Sequence, residues 1–207
     1  QDAIKAWNLD PKRVVTIHSG VPTEYFTAKP TSRAKPYVLC AGTIEPRKNI
    51  ARLLDAWKSL RADLRDAYDL VFAGPVGWSS QDVAERVKNE AVYLGYVPES
   101  DMPGLFAGAT ALAYPSLYEG FGFPVAQAMA ASVPVVTSST SCLPEIAGER
   151  ALYADPLSVT EIRSQLERLL DSQELRRDLG AKGHAKAQQY RWEACARKSL
   201  QMFAELA

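Results

Sequence analysis

A carboxylate followed by glycine-rich backbone, at residues 119–124 (Glu-Gly-Phe-Gly-Phe-Pro), is the feature of this sequence best suited to chemistry. Glycine lets backbone approach a ligand closely, and the unpaired N–H groups at a helix N-terminus favour anions. Residues 111–115 read as a short buried strand, and residues 125–131 read as an uncharged helix buried on nearly all sides. The pattern predicts a strand-to-helix junction that binds a phosphorylated ligand, whose other polar groups meet Glu119.

Two cations precede a second predicted helix. Arg47 and Lys48 stand before Asn49, which we interpret as the N-cap of a helix with apolar residues at helical spacing from Ile50 to Leu60. A cation at a helix N-terminus is unfavourable by roughly 0.3–1 kcal/mol, and a bound anion reverses that sign. Spacing alone favours a diphosphate site and a pair of solvated surface charges about equally.

Short apolar runs alternate with helical patterns along the chain. These runs have the character of parallel strands covered on both faces, and they lie at residues 14–17, 37–41, 70–73, 92–94, 111–114 and 133–137. Helical spacing of apolar residues fills the intervals between them. The alternation predicts an α/β fold with a doubly wound, Rossmann-like parallel sheet and right-handed crossovers.

The last quarter of the chain, residues 158–207, is predicted to be mostly helical within a single domain that spans residues 1–207. Residues 158–161 (Ser-Val-Thr-Glu) form a capping box at the start of one helix. A charged helix follows from about Gln173, and we expect interruptions near Gly180 and Gly183. A terminal helix then presents Trp192, Cys195, Ser199, Met202 and Leu206 on one face.

Composition excludes several classes of protein. The 24 basic and 24 acidic residues balance, whereas a nucleic-acid-binding protein normally has a basic excess. No apolar run approaches the roughly 18 residues of a membrane span, so a cytoplasmic protein is expected. The three cysteines include no Cys-x-x-Cys pair, which favours buried free thiols in a reducing compartment. Neither His18 nor His184 has an evident partner, and both are expected to be structural or exposed.

Seven segments, in order, resemble one enzyme family. They are residues 19–22 (Ser-Gly-Val-Pro), 42–49 (Gly-Thr-Ile-Glu-Pro-Arg-Lys-Asn), 94–97 (Leu-Gly-Tyr-Val), 115–124, 128–130, 134–136 and 143–148. From about Asn8 onward the chain resembles the C-terminal, donor-binding half of the two-domain GT-B fold in retaining glycosyltransferases of family 4. The sequence of residues 42–49 is most similar to that of mannosyltransferases of bacterial surface-polysaccharide assembly.

The resemblance assigns roles to the chemically active residues. It implies that Arg47 and Lys48 bind the donor diphosphate and that Glu119 accepts a hydrogen bond from a donor-sugar hydroxyl, which makes these three the expected catalytic residues. Gly42 would let its loop pass close to the sugar nucleotide. The N–H groups of the next four residues would reach sugar and phosphate oxygens, and these residues are Gly120, Phe121, Gly122 and Phe123. The two phenylalanine rings themselves are expected in the core.

The remaining donor contacts are implied at two further places. Backbone at Tyr96 and Val97 would meet the nucleobase, because open α/β sheets bind ligands at the carboxyl edge. Gln127 stands where the family usually has a second glutamate, and it would bind the ribose with weaker hydrogen bonds than a carboxylate makes. The alternative is a glutamine satisfied by neighbouring backbone. A second departure is Ala131-Ser132, where the family usually has a Cys-Gly or similar small pair.

By resemblance, the parent protein transfers a sugar from a GDP- or UDP-linked donor to an acceptor hydroxyl, with retention of configuration and without a metal or other cofactor. The chain starts without methionine, and we expect it to lack an N-terminal acceptor domain and to transfer little by itself. Peripheral contact with the inner face of the membrane would depend on segments outside it. Two alternatives remain, a UDP-sugar 2-epimerase of the same two-domain fold and a non-catalytic nucleotide-sugar-binding module.

Overall fold

A computed structural model describes residues 2–205 of the protein, except for the side chain of Asp2. Its centre is a parallel sheet of six strands: β1 (Tyr37–Ala41), β2 (Asp69–Ala73), β3 (Val92–Tyr93), β4 (Ala111–Tyr114), β5 (Val135–Ser138) and β6 (Leu152–Ala154). The spatial order is β3-β2-β1-β4-β5-β6, and every pairing is parallel. The predicted doubly wound, Rossmann-like α/β fold is therefore confirmed.

Helices cover both faces of the sheet. They are α1 (Asp2–Trp7), α2 (Glu24–Thr27), α3 (Ile50–Lys58), α4 (Ala62–Ala67), α5 (Gln81–Glu90), α6 (Met102–Ala107), α7 (Phe123–Ala130), α8 (Leu143–Ala147), α9 (Val159–Asp171), α10 (Gln173–Ala187) and α11 (Trp192–Ala204). One core layer packs α7 against the sheet, and the other packs α3 and α9 against the opposite face. Within the described range, none of these helices has the length and apolarity to cross a membrane.

One predicted strand is absent from the sheet, and one strand of the sheet was not predicted. Residues 14–17 form no strand, because they run outside the sheet, where Val15 is 57% exposed and has no ladder partner. The nearest bridge in that region joins Val21 to Arg191. Strand β6 was missed because three residues are too few for an apolar period to be recognised.

Helix α10 is continuous, so the predicted interruption at its glycines was wrong. A Cβ atom on Gly180 would lie 2.3 Å from the carbonyl oxygen of Ser132, and one on Gly183 would lie 3.3 Å from Cγ of Met129. The two glycines therefore allow α10 to approach α7 closely. On the terminal helix, Cys195, Ser199 and Met202 are half-buried and Trp192 is 54% exposed, while Leu206 lies outside the described residues.

The strand order creates a crevice between β1 and β4. The chain leaves β1 towards β2 on one side and leaves β4 towards β5 on the other, so the connections diverge at this point. Ligands of open α/β sheets bind at such a switch point, outside the carboxyl ends of the strands. Gly42 directly follows β1 and Pro115 directly follows β4, which brings the loops holding Arg47, Lys48 and Glu119 to the same crevice.

Candidate functional site

A buried carboxylate paired with two cations lies at the β1–β4 crevice. Glu119 is only 7% exposed, and its Oε1 accepts a hydrogen bond from Nζ of Lys48 at 2.8 Å. Its Oε2 lies 2.5 Å from Nη1 of Arg47. The hydroxyl of Tyr114 donates to Oε1 at 2.8 Å and also accepts a hydrogen bond from Lys48. The fold thus unites residues that are 71 and 72 positions apart in the sequence.

The loop of Arg47 and Lys48 is fastened to the loop after β4. The backbone N–H of Leu117 donates to the carbonyl of Arg47 at 2.9 Å, and Nη1 of Arg47 donates to the carbonyl of Tyr118 at 3.1 Å. The side chain of Asn49 donates to the carbonyls of Pro115 at 2.9 Å and Pro156 at 2.7 Å. Asn49 therefore joins three loops at the edge of the sheet.

Asn49 precedes α3, as the sequence predicts, but it does not cap the helix with its side chain. Its φ of 60° places it in the left-handed region, which asparagine tolerates better than most residues. Its side-chain oxygen accepts a hydrogen bond from Nη1 of Arg52 at 2.9 Å instead of from the backbone of α3. The left-handed turn separates the short 3-10 turn that carries both cations, Pro46–Lys48, from the helix.

Glu119 is also held through its backbone, by a residue that sequence reasoning missed. The N–H of Glu119 donates to Oγ of Ser141 at 2.9 Å, and that hydroxyl donates back to the carbonyl of Glu119 at 2.7 Å. Tyr114 was missed as well, since it was assigned only to a buried strand. A hydroxyl at the carboxyl end of that strand is the signal that marks Tyr114, whereas nothing local marks Ser141.

The site favours the charged form of the carboxylate. Burial acts to raise the pKa of Glu119, but hydrogen bonding and charge from Lys48, with a smaller contribution from Tyr114, outweigh it and lower the pKa below its usual value. Burial and the adjacent Glu119 raise the pKa of Tyr114. The pKa of Arg47 is raised because bonding to Glu119 outweighs the cost of burial. Tyr114 therefore stays protonated and neutral at pH 7, while Glu119 and Arg47 stay charged.

This arrangement predicts a pH-dependent contribution to stability. Because the folded-state pKa of Glu119 is lowered from its ordinary value of 4.5, its stabilisation is fully present above that value and is lost as the pH falls through the lower folded pKa. We expect Glu119→Gln to cost about 1–3 kcal/mol at pH 7. The difference from wild type should narrow progressively as the pH falls below 4.5 in urea unfolding measured across the acid range. A difference that widens on acidification would contradict this prediction.

The glycine-rich segment presents unpaired donors at the N-terminus of α7. Gly122 precedes the helix with φ of 83°, a conformation that glycine adopts at little cost. Among the described residues, no backbone N–H from 120 to 123 donates to protein. Phe121 is half-buried against the core, as expected, but Phe123 is 42% exposed, so its predicted core position was wrong. These donors and the positive end of the helix suit an anion.

The remaining predicted residues surround this centre. Gly42 has φ of 126°, and a Cβ there would lie 3.5 Å from Cε of Lys48, so this lysine passes beside the glycine. Gln127 is half-buried on α7 and faces a cavity, without a side-chain hydrogen bond among the described residues. Tyr96, which is 71% exposed, and Val97 follow β3, two strands from β1 along the sheet edge.

Both histidines have partners that the sequence did not reveal. Nε2 of His18 lies 2.7 Å from Oε1 of Glu145, and its ring lies 6.2 Å from that of Phe121. His184 bonds through Nδ1 to the carbonyl of Ala130, the last residue of α7, at 2.7 Å. Both are thus structural neighbours of α7 and of the segment that leads into it.

All three cysteines are free thiols, as predicted. Cys40 is buried within β1, and burial raises its pKa to about 12. Cys142 and Cys195 are half-buried, so the expectation of full burial holds for Cys40 alone.

Comparison with solved structures identifies the fold class. The chain is similar to sucrose-phosphate synthase from Thermosynechococcus elongatus, with a TM-score of 0.82 and 21% identity over 99% of this chain and 55% of that one. It is also similar to Anabaena HepE in complex with UDP, with a TM-score of 0.84 and 16% identity over 98% of this chain and 60% of that one. The fold is that of one half of a GT-B glycosyltransferase.

Sequence comparison identifies the family. The model described as glycosyl transferases group 1 matches residues 23–186, and this chain belongs to that family. O-antigen chain mannosyltransferase B of Escherichia coli is 36% identical over 217 residues, covering 98% of this chain and 57% of that protein. MMP alpha-(1->4)-mannosyltransferase of Mycolicibacterium hassiacum is 29% identical over 98% of this chain and 51% of that protein. The chain spans about half the length of these two relatives.

Proposed function

We propose that this chain is the donor-binding half of a retaining glycosyltransferase that moves a sugar, specifically mannose, from a nucleotide-diphosphate sugar to an acceptor hydroxyl. The observation that carries the proposal is the meeting of free N–H donors at the start of α7 with Arg47 and Lys48 around the buried Glu119. Such a group of donors and cations suits a diphosphate next to a sugar hydroxyl. The named mannosyltransferases among its relatives support this assignment over an epimerase.

The chemistry follows from the charges at the crevice. Breaking the bond between the sugar and the diphosphate places negative charge on the departing group. Lys48 uses one N–H on Tyr114 and one on Glu119, which leaves its third for a phosphate oxygen. Preorganised cations and helix N–H groups aimed at that charge lower the barrier without reorganisation of solvent. We include in the proposal that these groups replace a metal ion, so that turnover needs no cofactor.

Glu119 has a different part in this proposal. Its carboxylate accepts a hydrogen bond from a hydroxyl of the donor sugar, and Lys48 and Arg47 keep it ionised and fixed in place. The acceptor is bound by residues of an N-terminal domain that lies outside this chain. A cytoplasmic location, with contact at the inner face of the membrane through that domain, completes the proposal.

Calorimetric titration of the 207-residue chain with GDP, UDP and ADP tests donor binding. We expect saturable binding of at least one diphosphate, and we expect the Arg47→Ala/Lys48→Ala variant to lose it, because both cations and their bonds to the phosphates are removed. Arg86→Ala/Lys88→Ala is the matched control, since these cations lie on α5, outside the crevice, and pair with other carboxylates. Absence of binding by the wild type, or retention by the double variant at the crevice, would contradict the proposal.

A further inference from the structure

A row of hydroxyl side chains connects the end of β5 to the loop that carries Glu119. Each hydroxyl donates a hydrogen bond to a backbone carbonyl within residues 114–119. The pairs are Thr137 with Tyr114 at 2.8 Å, Ser138 with Ser116 at 2.6 Å, Thr140 with Leu117 at 3.4 Å and Ser141 with Glu119 at 2.7 Å. These four donors are called the hydroxyl row below.

The hydroxyl row continues the pairing of β4 with β5 beyond the ends of the strands. Thr137 stands opposite Tyr114 in the sheet, 23 positions away in the chain, and the later contacts of the row span 22 or 23 positions. Strand β4 ends at Tyr114, and the next residue, Pro115, has no N–H with which to continue it. Side chains from the row therefore bind carbonyls that strand pairing no longer reaches.

Ser141 is the member of the row that contacts Glu119 directly. Its Oγ accepts from the N–H of Glu119 at 2.9 Å and donates to the carbonyl at 2.7 Å, so one side chain holds both backbone groups. Sγ of Cys142 lies 3.2 Å from the same carbonyl. Ser141 has φ of 62°, which is unfavourable for residues other than glycine. Such a conformation persists where surrounding contacts compensate for it, as the two bonds to Glu119 do.

Two sets of contacts hold Glu119, one on its carboxylate and one on its backbone. Lys48 and Arg47 bind the carboxylate at the ends of long side chains with several rotatable bonds. Ser141 binds the backbone, whose position sets the direction in which the side chain leaves the chain. Gly120 follows directly, and a Cβ there would meet nothing within 4 Å, so packing does not fix the segment on that side. The direction of the carboxylate in the crevice therefore depends on Ser141.

We propose that Ser141 is a positioning residue, which aims the carboxylate of Glu119 at the hydroxyl of the donor sugar, while the rest of the hydroxyl row holds the loop behind it. The inference rests on the proposed function, in which Glu119 meets the sugar while Arg47, Lys48 and the N-terminus of α7 bind the diphosphate. Loss of the Ser141 hydroxyl should therefore weaken the contact with the sugar and spare the contacts with the diphosphate. Misplacement of a reacting group by about 1 Å can cost on the order of 100-fold in rate.

Calorimetry on the full-length protein, without acceptor, tests this separation with two pairs of ligands: GDP with GDP-mannose, and UDP with UDP-glucose. In the pair that the wild type binds more tightly, we expect Ser141→Ala to lower the affinity for the sugar nucleotide about tenfold. The affinity for the matching diphosphate should stay within about threefold of wild type. In the presence of acceptor, kcat should fall by about 10- to 100-fold.

Two further variants separate the hydroxyl from its surroundings. Ser141→Gly removes the same hydroxyl but suits the left-handed backbone, so it should fold and show the same selective loss even if Ser141→Ala does not fold. Thr140→Ala is the matched control, because it removes a neighbouring exposed hydroxyl of the row whose bond reaches Leu117 instead of Glu119. We expect both affinities of this control to stay within about threefold of wild type.

The outcomes separate this inference from the proposed function. An equal loss of affinity for diphosphate and sugar nucleotide in Ser141→Gly would make the role of Ser141 generally structural and overturn the inference. Unchanged affinity for the sugar nucleotide in that variant would overturn it as well, and either result would leave donor binding by the wild type intact. Absence of binding of all four ligands by the wild type would overturn the proposed function and this inference with it.

Discussion

Replacement of Lys48 with methionine is expected to lower kcat of the full-length protein by about 10²–10³, the usual cost of removing one preorganised group that stabilises transition-state charge. Methionine keeps most of the length and the apolar stem of lysine but carries no charge. Lys48 is 11% exposed and touches both Tyr114 and Glu119, so the charge it contributes acts in a site largely shielded from water. The measurement is the steady-state rate of sugar transfer from the nucleotide-sugar donor.

A loss of rate must be distinguished from a loss of fold. Glu119 keeps its ion pair with Arg47 and its hydrogen bond from Tyr114 in the variant, so we expect it to fold and to lose about 1–3 kcal/mol of stability. Lys58→Met is the matched control, since Lys58 is exposed at the end of α3 and lies outside the site. If the activity of Lys48→Met lies within threefold of that control, Lys48 has no catalytic role.

Gly74→Ala is expected to destabilise the protein by about 3–5 kcal/mol, through left-handed strain and overpacking together. Gly74 has φ of 150°, and a Cβ there would lie 2.1 Å from the carbonyl oxygen of Gly42. Backbone cannot move aside as a flexible side chain can, because Gly42 donates to Ala73 at 2.8 Å and Gly74 donates to Gly95 at 2.7 Å. Urea unfolding at neutral pH measures the effect.

Gly95→Ala separates the two causes. Gly95 has φ of 67°, yet a Cβ there would meet nothing within 4 Å, so we expect a cost of only about 1–2 kcal/mol from backbone strain. If Gly74→Ala costs no more than Gly95→Ala, the close approach to Gly42 is not limiting. Because the loop of Arg47 and Lys48 leaves the sheet at Gly42, the Gly74 variant should also bind nucleotide diphosphates more weakly.

Local patterns in the sequence determined the principal elements. Continuous apolar runs predicted β1 and β4, because a strand covered on both faces has no polar side. The uncharged run after Gly122 predicted α7. Ser158 accepts from the N–H of Glu161 at 3.2 Å, as the capping box predicts, although the glutamate side chain bonds to the N–H of Asp155 instead. These features depend on residues a few positions away in the chain, so they can be predicted directly from the sequence.

Only the tertiary structure decided which elements meet. The presence of an apolar run does not determine whether that run forms a strand of the sheet. Residues 14–17 lie outside the sheet, whereas the shorter β6 is part of it. The adjacency of β1 and β4 brings Lys48 to Glu119 and Tyr114, and the adjacency of β4 and β5 brings Ser141 to the backbone of Glu119. These partners are far apart in the chain, and packing of the two core layers, which no local pattern encodes, sets their distances. The sequence by itself determined the groups available for chemistry, and the fold decided how they are paired.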